Sequence, residues 1–135
     1  MPFPVDEKYI IQTEQTLRAR FPDSFREKMK KENGGEVETP PDVWNLYPFF
    51  DTSDKKKIKR TSNDITRETE SAKEWVGFPE KAIAIGFNGC GDQLVFLRLE
   101  DVPQVLSETV YWWDHETRNL NKIAKVFSEL LIKNA

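Results

Sequence analysis

The stretch Ala82-Ile83-Ala84-Ile85-Gly86-Phe87-Asn88-Gly89-Cys90-Gly91-Asp92-Gln93-Leu94-Val95-Phe96-Leu97 is compatible with few folds. Ile83, Ile85 and Phe87 alternate with Ala82, Ala84 and Gly86, so a strand here has one bulky face and one nearly bare face. A bare face lets a helix or another backbone come close. Over 93–97, Leu94 and Phe96 share one face while Val95 and Leu97 share the other, which suits a strand in the middle of a sheet. Between the two, Asn88-Gly89 and Gly91 tolerate positive φ, so the pair reads as an antiparallel hairpin. Asp92 is expected to accept backbone N–H groups inside that loop.

A chain of 135 residues is long enough to bury a core and reads as one domain. A net charge of −3 argues against general nucleic-acid binding. No apolar run approaches the roughly 20 residues that span a bilayer. Met1-Pro2-Phe3-Pro4-Val5 lacks the basic start and apolar centre of a signal peptide, so a cytoplasmic location is expected. A single cysteine, Cys90, suits a reducing compartment and excludes an internal disulfide.

Along the chain, 6–20 reads as a helix with Ile10, Thr13, Leu17 and Phe21 near one stripe. After the break at Phe21-Pro22-Asp23 a second helix turns Phe25 and Met29 inward, started by Pro22 or by Ser24 with Glu27, and Asn33-Gly34-Gly35 stops it. Short strands follow at 36–38, at an edge, and at 43–47, separated by a Pro40-Pro41 turn. The basic run Lys55-Lys56-Lys57-Ile58-Lys59-Arg60 reads as a solvated loop. A helix then carries Ile65, Thr69, Ala72 and Val76 on one stripe and ends at Gly77. Beyond the hairpin, 109–113 reads as a strand, and 120–133 as a C-terminal helix on Leu120, Ile123, Ala124, Phe127, Leu130 and Leu131. The expected class is α+β: a mainly antiparallel sheet with packed N-terminal and C-terminal helices in a single domain.

The chemistry is sparse. The glycine loop at 86–91 leads into a strand and lacks a following Lys-Ser/Thr pair, so it reads as a turn and not as a phosphate cradle. Asp114-His115-Glu116 is the one cluster with acid–base potential, and His115 is the only histidine. One histidine and one distant cysteine make a poor zinc set, and nothing requires Cys90 to meet His115 as a nucleophile–base pair. No cofactor, metal or catalytic residue is therefore expected. Trp44, Tyr47, Trp75, Trp112 and Trp113 read mostly as core, but adjacent Trp112 and Trp113 cannot share a face of a strand.

Taken in order, Phe21-Pro22-Asp23-Ser24-Phe25, Asn33-Gly34-Gly35, the Trp44 strand, Ile85-Gly86-Phe87-Asn88-Gly89-Cys90-Gly91-Asp92 and Trp113-Asp114-His115-Glu116 resemble the SUKH superfamily. That superfamily includes fungal cell-wall-assembly regulators and bacterial immunity proteins. The resemblance implies a compact, non-catalytic module whose partner is a protein, in the immunity members a cognate toxin such as a nuclease. The expected contact surface is the sheet face and rim carrying Trp44, Asp92, Asp114 and Glu116. An intracellular regulator with a different partner, or a hydrolase using His115, are the alternatives.

Overall fold

The structure is a computed structural model that describes residues 2–134, with side chains as far as Leu130. Two helices, α1 (Glu7–Leu17) and α2 (Asp23–Lys31), open the chain. Asp6 caps α1 by accepting from the Lys8 amide, while α2 starts after Pro22 with no side-chain cap. Asn33 follows α2 and is buried, its amide bonded in both senses to the backbone of Phe49 at 2.7 and 2.8 Å. The helix ends on an extended Glu32 and not on a left-handed cap, and Gly34 and Gly35 take φ +118 and +86 in the turn that follows. Arg26, buried between the two helices, holds Glu14 at 3.1 Å and Glu7 at 3.0 Å.

Six strands follow as an antiparallel meander in the order β1-β2-β3-β4-β5-β6. They are β1 (Glu36–Thr39), β2 (Asp42–Leu46), β3 (Ala82–Phe87), β4 (Gln93–Arg98), β5 (Leu106–Trp113) and β6 (Leu120–Ala124). As expected, β1 lies at an edge and the β3–β4 hairpin at the centre. Between Ala84 and Gly86 a bulge shifts the register, so the strict alternation along β3 breaks at Ile85. β2 reaches only Gly86 and Phe87 of β3. Beyond Pro48, which ends β2, the helix α4 (Ile65–Ala72) packs on β3 in its place, and Thr69 Oγ1 accepts from the unpaired Ala84 N–H at 2.9 Å.

The sheet is strongly curled. In a flat sheet β2 and β5, three strands apart, would be separated by about 14 Å. The rings of Trp44 and Trp112 nevertheless meet at 6.4 Å. This concave face holds the core, where Phe25 packs edge-on against Phe96 (5.4 Å) and Phe127 (4.9 Å), with Phe21 stacked beside it (5.3 Å).

Three expectations require correction. The C-terminal segment is not one helix: it forms β6 and then a 3₁₀ helix, Phe127–Asn134. The outer edge of β5 needs hydrogen-bond partners, and β6 supplies them. A bulge against Val110 and Tyr111 accommodates Ile123, so the strand absorbs a pattern that reads as helical. Ala124, Phe127 and Leu130 are buried, Leu120 is exposed, and the Leu131 side chain lies outside the described residues. The basic run is a short helix, α3 (Lys55–Arg60), capped by Asp54 and with no buried residue. Lysine and arginine are good helix formers, so a cap suffices where no core contact exists. Finally, α4 ends at Ala72, and Val76 is 71% exposed. The chain leaves the helix through tight turns in which the Trp75 ring stacks on Trp113.

Candidate functional site

The β3–β4 loop is organised by Asn88. Its Oδ1 accepts from the amides of Cys90 and Asp92, each at 3.0 Å. Gly91 takes φ +92. Asn88 therefore fills the role expected of Asp92, which leaves the Asp92 carboxylate free to face the β5–β6 loop. There it accepts from the Trp112 indole (2.9 Å), the His115 amide (3.0 Å) and His115 Nδ1 (2.5 Å), with Asn88 Nδ2 at 3.4 Å. Burial alone would raise the Asp92 carboxyl, but the hydrogen bonds from His115, Trp112 and Asn88 outweigh it and hold the pKa below the ordinary value. The same contact raises the His115 ring above its ordinary value. Two hairpin loops are thus latched together by one carboxylate.

Asp114 turns back on its own loop, its Oδ1 accepting from the amides of Glu116 and Thr117. Asp92, Asp114 and His115 offer ligand atoms within 4.8 Å of one another. Both Asp92 oxygens, His115 Nδ1 and Asp114 Oδ1 are already hydrogen-bonded, so the cluster works as a latch and is a poor cation cage.

Beside the latch, on the face of the sheet opposite the aromatic core, lies an open groove of about 740 Å³. Its floor is one cross-strand row, because Phe87 pairs with Gln93 and Gln93 with Trp113. Tyr47 stacks on Phe87 at 5.3 Å, and its hydroxyl donates to Gln93 Oε1 at 2.9 Å. Burial pushes the Tyr47 hydroxyl up to about 12. Trp75 stacks on Trp113 at 6.1 Å with an interplanar angle of 11° and forms one wall. Val76 forms the lip. Glu68 and Glu74 line the side nearest α4, and His115 and Arg118 reach in from the β5–β6 loop.

The structure therefore brings Asp92, Asp114 and Glu116 together around His115, with Asp92 buried and Glu116 exposed. Trp44 is elsewhere: it is fully buried on the concave face and donates its indole N–H to Thr39 Oγ1 at 2.7 Å. Trp112 and Trp113 do take opposite faces, one against Trp44 and one against Trp75. The sequence reading missed Glu68, Glu74, Trp75, Val76 and Arg118 as groove residues. One signal was present: Trp75 and Val76 are adjacent, about 100° apart on a helix, so a stripe centred on one turns the other aside.

Comparison with protein families finds a match to the SMI1 / KNR4 family (SUKH-1) over residues 4–133. Comparisons with curated proteins and with solved structures find no match.

Proposed function

Because the chain belongs to the SMI1 / KNR4 family (SUKH-1), we propose that it is a non-catalytic protein-binding module of the immunity type, one that neutralises a toxin by binding it. The observation that carries this reading is the groove. Trp75 is 43% exposed and Val76 71% exposed, on a wall braced by the buried Trp113. Aromatic surface held rigidly around an open concavity suits a hot spot for a protein partner. Asp114 and Glu116 lie beside it and can set partner choice and association rate.

The groove's chemistry also favours binding over turnover. Asp92 and His115 have the geometry of an oriented base, but no serine, threonine or cysteine is among the residues lining the groove. The Tyr47 hydroxyl is engaged with Gln93 and kept protonated by burial. Among the described residues, no helix is long and apolar enough to cross a membrane.

The test is co-expression with a toxin encoded beside this chain, followed by titration calorimetry on the purified pair. The wild-type chain should relieve toxicity, and Trp75→Ser should weaken binding by roughly tenfold or more, as loss of a hot-spot aromatic does. Turnover of a substrate by the purified chain, lost in a folded His115→Ala variant, would instead place the protein among enzymes.

A further inference from the structure

Resting on the protein-binding reading for the identity of its occupant, we propose that the groove is a receptor for a cationic side chain, an arginine or lysine presented by the partner protein. The stem would lie along Trp75 and Phe87, with the charge between Glu68 and Glu74.

Three observations on the wall nearest α4 converge. Glu68 is half-buried on a groove wall shared with Tyr47, Trp75 and Phe87, and among the described residues no hydrogen bond or ion pair reaches its carboxylate or that of Glu74. A carboxylate held against apolar surface gains more from an incoming cation than one surrounded by water. Second, Glu68 and Tyr47 line the same groove, and after burial the Glu68 charge adds to what keeps the Tyr47 hydroxyl protonated. Its carboxylate is therefore part of the cavity's own surface. Third, Trp75 and Phe87 are the accessible aromatic faces, since Trp113 and Tyr47 are buried beneath them. Aromatic faces attract cations and also accept the apolar stem of an arginine or lysine. Arg118, whose side chain packs against Gly77, and His115 line the same groove from the β5–β6 loop and disfavour a second cation beside them, so the guest's charge belongs at the two glutamates.

The probes are N-acetyl-L-arginine methylamide, N-acetyl-L-leucine methylamide and N-acetyl-L-glutamate methylamide, titrated into the ¹⁵N-labelled full chain and followed at the Trp75 indole N–H. The arginine probe should shift that signal saturably, and added salt should weaken it. The double variant E68Q/E74Q should lower its affinity about fivefold or more. E74Q alone, at an exposed position, should give a smaller loss in a chain whose other resonances do not move. Equal binding of the leucine or glutamate probe, unchanged arginine binding in E68Q/E74Q or in a folded E74Q, or no Trp75 shift at about 20 mM arginine probe would overturn the proposal; at that concentration even millimolar contacts are populated. Two outcomes separate it from the reading beneath it. A toxin held equally by wild type and E68Q/E74Q removes the cation receptor and leaves protein binding intact. An arginine probe that binds as described, in a chain that takes no protein partner, supports the receptor and removes the toxin.

Discussion

At the residue scale the Asp92–His115 contact matters most, because one carboxylate connects loops that are 23 positions apart in sequence. Its pH dependence has a defined sign. The Asp92 pKa is lowered by folding, so the stability it contributes is present above the ordinary carboxylate value and is lost as pH falls through its folded value. The His115 pKa is raised, so its contribution is complete below the ordinary imidazole value and is lost as pH rises through its folded value. The latch is strongest in the window between, with Asp92 ionised and His115 protonated. Urea denaturation across pH should show wild type gaining over His115→Ala in that window, with the difference shrinking at both ends. A difference that grew steadily into alkaline pH would refute the linkage. Gly91 depends on the same loop: at φ +92 a Cβ is strained, and it would lie 3.4 Å from the His115 ring. Gly91→Val should cost about 1–3 kcal/mol in the same measurement.

At the element scale the C-terminal segment is integral to the fold, though not as one helix. β6 closes the hydrogen bonds of β5, and Phe127 then returns the chain to Phe25 and Phe96 on the concave face. Phe127→Ala should cost roughly 3–5 kcal/mol, since a fully buried ring leaves a cavity in its aromatic cluster. Removing residues 120–135 should abolish cooperative unfolding, because it exposes the β5 edge along with the core. An unchanged melt of the truncated chain, followed by circular dichroism, would make the segment an appendage. Helix α3 differs: with no buried residue, it contributes a basic surface and little packing. Lys56, Lys57 and Arg60 all approach the Phe3 ring, which ties that surface to the N-terminal segment.

At the scale of the whole molecule the curl divides the labour. One face of the sheet turns inward on the phenylalanine cluster, which frees the opposite face at the loop end to carry the groove. Carboxylates stand on the groove wall and on the neighbouring loop, so binding to a basic partner should be accelerated at low salt. Glu116→Lys, an exposed change beside the groove, should slow association and flatten its salt dependence while leaving thermal stability nearly unaltered. Stopped-flow association with the purified partner measures this. An association rate indifferent to both salt and Glu116→Lys would mean that the partner docks elsewhere.

Periodicity by itself determined the central hairpin, the two N-terminal helices and the edge position of β1, because each rests on neighbours close in sequence: alternation, caps and glycine turns. The family resemblance rested on the same local pieces and their order. Three features were decided only in the folded molecule, each by partners far away in the chain. The apolar spacing over 120–133 satisfies a helix on paper, but the exposed edge of β5 claimed its first five residues as a strand. The stripe to Val76 satisfies a longer α4, but stacking on Trp113, 38 positions away, drew Trp75 out of it. Asp92 satisfies a turn residue, yet its carboxylate was drawn to the next hairpin once Asn88 had taken the loop amides. Local propensity amounts to tenths of a kcal/mol per residue, whereas a buried aromatic contact or a satisfied strand edge contributes on the order of 1 kcal/mol or more. Where the two compete, the long-range partner prevails, and Trp75 and Val76, turned out of α4 in this way, line the groove.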